Sequence, residues 1–170
     1  MQIKPDTMAI LKEIIHNPVI ADYNNHPLLP LWITGGKQEE RSRLLLWIMA
    51  EIMKPGKNLN IMHFNSLGDI VYLKTHPYDG EVLKYNFNEM NSSTAIDNFR
   101  QAYKSTDFLL VDNAETIPSN LLIQDEFFKM YCHMTAGNKP VVIAANANFM
   151  DIDFDVRLKT RFAIGSVVSL

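Results

Sequence analysis

A chain of 170 residues, 47% hydrophobic and 21% charged, buries one sizeable core without staples, which excludes a disordered or disulfide-dependent protein. A formal net charge of −3 and a pI near 5.9 exclude an overall electrostatic grip on nucleic acid and leave room only for a local basic patch. The single cysteine, Cys132, allows no internal disulfide, no apolar run approaches the ~20 residues of a membrane span, and Met-Gln-Ile-Lys-Pro is no signal peptide, so a cytoplasmic chain is expected.

In chain order, Asp6-Thr7 can cap a helix with Met8, Leu11, Ile14 and Ile15 on one face, closed by Pro18. Val19 to Pro30, rich in proline and asparagine, reads as a loop, so residues 1–27 form an N-terminal helix and lead-in. Leu31 to Ile33 is a short apolar strand broken by Gly35-Gly36. From Arg41 onward Leu44, Leu45, Trp47, Ile48 and Ile52 repeat at helical spacing. Pro55-Gly56 makes a turn, Leu59 to Phe64 alternates as a second strand, and Leu67 to Leu73 reads as a short helix. Thr75 to Asn91 is polar and turn-rich, either a hairpin-like insertion or a mobile loop.

Ser92 or Ser93 then caps a helix through Ile96, Phe99 and Tyr103. Phe108 to Val111, ending in Asp112-Asn113, has the all-apolar character of a central parallel strand. Pro118 to Ala136 reads as an amphipathic helix carrying Leu121, Leu122, Phe127, Phe128 and Tyr131, with Cys132 in its core-facing pattern and Gly137 as its stop. Pro140 to Ala145 is a fourth strand followed by Asn146. Asp153 to Phe162 is a short helix with Arg157, Lys159 and Arg161, and Gly165 to Leu170 is a last strand. Strands alternating with helices predict a single α/β domain over 1–170, a three-layer αβα sandwich with a mainly parallel five-stranded sheet.

Strand, glycine turn and helix together frame a phosphate-binding loop. Against G-x-x-x-x-G-K-[ST], Gly35 and Ser42 hold, whereas Glu40 and Arg41 stand where glycine and lysine are wanted. Ligands of such sheets bind at the carboxyl ends of the strands, where the Gly35–Ser42 loop, Asp112-Asn113, Asn146 and Arg161 are expected to gather. Gly35, Gly36, Arg41, Ser42, Asp112, Asn113 and Asn146 are the candidate nucleotide ligands, with Ser42 and Asp112 the pair that would hold Mg²⁺. Each has a plain structural alternative: turn geometry for the glycines, a loop anchor for Asp112, backbone satisfaction for Asn146, a solvated or ion-paired surface for Arg161. His16, His26, His63, His76 and His133 lack metal-ligand spacing, and Trp32 and Trp47 read as core residues.

Four blocks of sequence make the chain resemble the ATPase core of DnaA-type bacterial replication initiators, members of the AAA+ superfamily. Gly35-Gly-Lys-Gln-Glu-Glu-Arg-Ser-Arg-Leu stands where that family has its glycine-rich loop. Phe99-Arg-Gln-Ala-Tyr-Lys-Ser-Thr-Asp-Phe-Leu-Leu-Val-Asp-Asn113 resembles the approach to its acidic strand end. Gly137-Asn-Lys-Pro-Val-Val-Ile-Ala-Ala-Asn146 resembles the strand bearing its first sensor residue, and Arg157-Leu-Lys-Thr-Arg161-Phe its arginine-finger motif. Arg-Ser in the loop and Asp-Asn at the strand end also resemble Hda-type regulators, relatives that switch the initiator off. The resemblance implies a P-loop NTPase fold of the AAA+ base-domain type; the family's helical lid and DNA-binding domain have no counterpart in this sequence.

The departures point toward a regulator. A Glu40 carboxylate ~4 Å from a phosphate charge would repel it by about 4 kcal/mol at an effective dielectric of 20, near a thousandfold in affinity. Asn113 cannot serve as a second acid. Three functions follow as expectations. The first is a regulator or adaptor in replication initiation that binds ADP or ATP with Mg²⁺ weakly or not at all and docks on an AAA+ initiator. There Arg161 would act in trans as an arginine finger. The second is a small ATPase or nucleotide switch, and the third a helicase-loader-like accessory holding single strands weakly with Arg41, Arg43, Arg157, Lys159 and Arg161.

Overall fold

The computed structural model describes residues 5–16, 30–53, 60–65, 69–74, 81–86 and 92–170. In chain order the elements are α1 (Pro5–His16), β1 (Leu31–Thr34), α2 (Gln38–Ile52), β2 (Asn60–Asn65), β3 (Asp69–Lys74) and β4 (Glu81–Asn86). They continue with α3 (Ser93–Ser105), β5 (Phe108–Asp112), a 3-10 helix at Ala114–Ser119, α4 (Leu121–Ala136), β6 (Val141–Ala144), α5 (Val156–Phe162) and β7 (Ser166–Ser169). No helix among the described residues is long and apolar enough to cross a membrane.

The strands form one sheet in the order β4-β3-β2-β5-β6-β1-β7. The five expected strands, β2, β5, β6, β1 and β7, run parallel. β3 and β4 extend the sheet beyond β2 as antiparallel strands. The short helix expected at Leu67 to Leu73 is therefore a strand over Asp69–Lys74. Its Ile-Val-Tyr centre favours extended backbone, and all six residues pair with β2, a ladder an isolated turn of helix could not match. Of the two readings of Thr75 to Asn91, β4 paired with β3 fits the hairpin; the flanking residues 75–80 and 87–91, like Pro18 and the 17–29 lead-in, lie outside the described residues.

Alternation along the parallel strands sorts the core into two halves. Leu31, Ile33, Phe108, Leu110, Val142 and Ala144 face α1 and α2, which contribute Leu11, Ile15, Leu44, Leu45, Ile48 and Ile52. Trp32, Leu109, Val111, Val141 and Ile143 face α3, α4 and α5, which contribute Phe99, Phe127, Met130, Tyr131, Leu158 and Phe162. This is the expected three-layer sandwich. Trp32 is buried, and its indole N–H donates to the Ala147 carbonyl at 3.0 Å, fixing the chain after β6 against β1. Trp47 is only half-buried.

Two helix boundaries move for local reasons. Pro118 sits within the 3-10 helix, and α4 begins at Leu121, capped by the Asn120 side chain, which accepts from the Leu122 and Ile123 N–H groups. Leu121 and Leu122 consequently lie on the surface rather than in the core. α5 is capped by Asp155, whose carboxylate accepts from the Arg157 N–H at 2.7 Å. Cys132 is half-buried beside Tyr131, Thr135, Arg161 and Ile164 in a cleft of about 320 Å³, not in the core.

Candidate functional site

The loop after β1 is a tight turn that becomes helix early. Gly35 (φ 76°) and Gly36 (φ 58°) both lie in the left-handed region, where a side chain is strained. A Cβ on Gly35 would also meet the Ser169 hydroxyl at 2.7 Å. The chain then enters α2 at Gln38 rather than at Arg41, because the Glu40 carboxylate reaches back and accepts the Lys37 N–H at 2.8 Å. The N–H groups of Glu40 and Arg41 donate to the Lys37 carbonyl at 3.0 and 3.2 Å. In a phosphate-binding loop such backbone donors face the ligand; here these are taken by the chain itself.

Arg41 faces inward. It is 3% exposed, its Nη1 donates to the carbonyls of Gly35 (3.0 Å) and Gly36 (3.1 Å), and its Nη2 lies 3.8 Å from Glu115 Oε1. Its buried Nε has no hydrogen-bond partner. At the next residue, the Ser42 hydroxyl donates to Asp112 Oδ2 at 2.6 Å, joining α2 to the end of β5. The other Asp112 oxygen accepts the Asn113 N–H at 2.9 Å. Asn113 is buried in left-handed backbone (φ 52°), and its side-chain amide donates to Asn65 Oδ1 at 3.4 Å.

Asn146 comes to the same end of the sheet through its backbone: its N–H donates to Glu115 Oε2 at 3.3 Å, and the residue is exposed. Glu115 thus ties the loop, the β5 end and the β6 end together, a role missed in the sequence, where its signal was an acid two residues past Asn113. A second missed residue is His63 on β2, whose Nε2 is buried without a hydrogen-bond partner. Burial pushes its pKa below the ordinary value, and the nearby Asp112 charge partly opposes that. Its signal was a polar residue between Ile61, Met62 and Phe64 in an otherwise apolar strand.

Arg161 does not join this cluster. It lies on α5 just ahead of the amino end of β7, where Ser166 pairs with Leu31 and the Ser166 N–H donates to the Pro30 carbonyl, at the opposite end of the sheet from Gly35. A residue that precedes a parallel strand sits at its amino end, so the expected gathering of all four segments at the carboxyl ends fails for this one. The Arg161 guanidinium carbon is 5.0 Å from the Phe128 ring centre, and that of Arg157 is 4.5 Å away. Arg157 pairs with Asp155 at 2.9 Å, whereas Arg161 has no carboxylate within ion-pair distance among the described residues and donates to the Arg157 carbonyl at 3.0 Å.

The loop therefore supplies some parts of a phosphoryl-transfer site and lacks others. Ser42 and Asp112 are the right pair for Mg²⁺ in company with phosphate oxygens. Among the described residues no group of three or more His, Cys, Asp or Glu side chains could hold a metal on its own. The Glu40 carboxylate lies 3.1 Å from the position of a Gly36 Cβ, with the Leu170 side chain against the same glycine. These residues do not fit a triphosphate.

Residues 15–169 match the family model of the bacterial DnaA ATPase domain. Among solved structures, the AMPPCP-bound DnaA from Aquifex aeolicus superposes with a TM-score of 0.74 at 20% identity, over 97% of this chain and 45% of that one. A replication initiator DnaA bound to AMPPCP and single-stranded DNA gives 0.75 at 21% identity, over 98% and 46%. Domain III of the Thermotoga maritima DnaA gives 0.72 at 23% identity, over 100% and 64%. The chain spans about half the length of the first two.

Proposed function

From the premise that this chain belongs to the bacterial DnaA ATPase domain family, one tied to the initiation of DNA replication, we propose that it is a regulator or adaptor acting on a full AAA+ partner. In this reading its own loop hydrolyses nothing, and Arg161 serves the ATP site of the partner, the replication initiator of the same cell. One observation carries it: Arg161 is held on the Phe128 ring away from its own glycine loop, without a carboxylate partner among the described residues. An arginine acting in trans needs position and charge only. It stabilises negative charge developing on the transferred phosphoryl group, an effect of about 10³-fold or more in rate. The rest of the site then belongs to the partner. The reading implies a cytoplasmic protein.

The test is ATP hydrolysis by the purified initiator with and without this chain. Stimulation by the natural chain and its loss in Arg161→Ala, at an unchanged thermal midpoint, is the expected result. Equal stimulation by Arg161→Ala overturns the mechanism.

A nucleotide switch in this chain itself is the second reading, favoured by the Ser42–Asp112 contact at 2.6 Å. Low-micromolar dissociation constants for ADP or ATP with Mg²⁺ would select it. Of the five cations that single-strand binding would use, Arg41 is buried, Arg157 is paired with Asp155 and Lys159 donates to the Met150 carbonyl at 2.9 Å, which leaves the exposed Arg43 and the half-buried Arg161.

A further inference from the structure

We propose that the glycine loop is self-capped: Glu40 and Arg41 occupy the positions of a bound phosphate and its lysine, so the loop holds one conformation with or without nucleotide. The charges are exchanged in kind. A carboxylate takes the Lys37 N–H at 2.8 Å and lies at the mouth over Gly36, where a phosphate oxygen would be anchored by the same type of donor. The guanidinium that follows it turns back to the carbonyls of Gly35 and Gly36 instead of outward.

Two independent observations support this. First, α2 begins at Gln38, which leaves only Gly35, Gly36 and Lys37 between strand and helix and places the Glu40 and Arg41 N–H groups within the helix. A phosphate site at a helix start uses N–H groups that have no partner within the chain, and these two already donate to the Lys37 carbonyl. Second, Arg41 is 3% exposed with a buried, unpartnered Nε, so its inward position is held by the loop carbonyls and Glu115 even though one donor goes unused. The motif thus has the glutamate half of a capping box, in which a glutamate at the third helical position accepts the N-cap N–H and closes the helix start. Nucleotide concentration does not reach the rest of the fold through this loop.

This inference does not depend on Arg161, and its failure is separate from failure of the partner reading. The probe is ADP with Mg²⁺, titrated calorimetrically into the full chain and followed by amide hydrogen exchange at residues 40 and 41. In the natural chain we expect no binding up to 1 mM and protected amides whose exchange ADP leaves unchanged, an estimate set by the thousandfold penalty of a carboxylate at the mouth. Glu40→Gly should bind ADP at least tenfold more tightly and exchange faster at residue 41. Glu40→Ala, which keeps helix propensity, serves if the glycine variant does not fold. Micromolar binding by the natural chain, or a gain below tenfold in whichever variant folds, overturns the proposal.

Discussion

The Ser42 hydroxyl donates to the Asp112 carboxylate at 2.6 Å across 70 residues of sequence, and this bond locks the first turns of α2 to the end of β5. Asp112 is buried at 4% exposed and Ser42 is half-buried. A hydrogen bond to a buried charged group contributes about 1.5–3 kcal/mol. Ser42→Ala should lower unfolding free energy by that amount in urea titrations with an unchanged slope, and Ser42→Thr, which keeps the hydroxyl, should cost less than half as much. An Ala variant as stable as the natural chain would mean that Asp112 is held by its other contacts alone.

His63 makes stability depend on pH. Burial holds its imidazole neutral, with the pKa below the ordinary value of 6.5 despite the Asp112 charge nearby. Between that lowered value and 6.5 the unfolded chain binds a proton that the folded chain does not, so stability falls as the medium is acidified from 6.5 downward. Urea midpoints measured from pH 7.5 to 5 should decline for the natural chain and decline less for His63→Leu. Parallel profiles would show that His63 titrates alike in both states.

Strands β1, β5 and β6 are clear in the sequence because they are buried on both faces and carry their signal without context. β2 shows instead by its alternation and β7, an edge strand, by its short apolar run. The β3 strand was harder: Asp69–Lys74 gains its extended form from the ladder to β2, a long-range pairing that no local window contains. The start of α2 at Gln38 was written in the sequence as Lys-Gln-Glu-Glu. Read as a phosphate loop, those residues are a failed match; read as a helix start, they supply the glutamate half of a capping box, Glu40 accepting the Lys37 N–H. Ser42 and Asp112 were legible as partners because fixed spacing and an acidic strand end imply a contact, whereas Glu115 lacks any pattern until the 3-10 helix at Ala114–Ser119 turns it toward both Arg41 and Asn146. Arg161 was named from its motif but placed at the wrong end of the sheet.

α3 and α4 are clamped by a carboxylate at their interface. Glu126 is buried and accepts from Arg100 at 2.6 and 3.2 Å and from Lys129 at 2.9 Å. Burial alone would raise its pKa, but the hydrogen bonds and charges of Arg100 and Lys129 outweigh it and hold the carboxyl below its usual range. A lowered carboxyl pKa adds stability that is complete above the unfolded value, about 4.3, and is lost as pH falls through the lower, folded value. Glu126→Gln should therefore be the less stable protein at pH 7, with a difference from the natural chain that narrows below pH 4. A difference constant between pH 7 and pH 3 would refute the assignment.

Gly165 is where the chain leaving α5, the helix of Arg161, meets Pro30 just ahead of β1. A Cβ there would lie 1.9 Å from the Pro30 carbonyl oxygen and 2.6 Å from the Pro30 nitrogen, so one backbone must move away from the other. The Ser166 N–H bond to that same carbonyl, 3.1 Å long, would be the first lost, and the pairing of β7 with β1 begins there. Gly165→Ala should cost about 1–3 kcal/mol, the range for forcing an added group into packed structure, and should speed amide exchange at Ser166 and Val168 more than along β5. Because the shift also moves Arg161 without altering it, the role proposed for Arg161 predicts that the variant stimulates ATP hydrolysis by the initiator less than its fraction folded accounts for. Stimulation in proportion to folded protein would show that the position of α5 against β1 does not set the reach of Arg161.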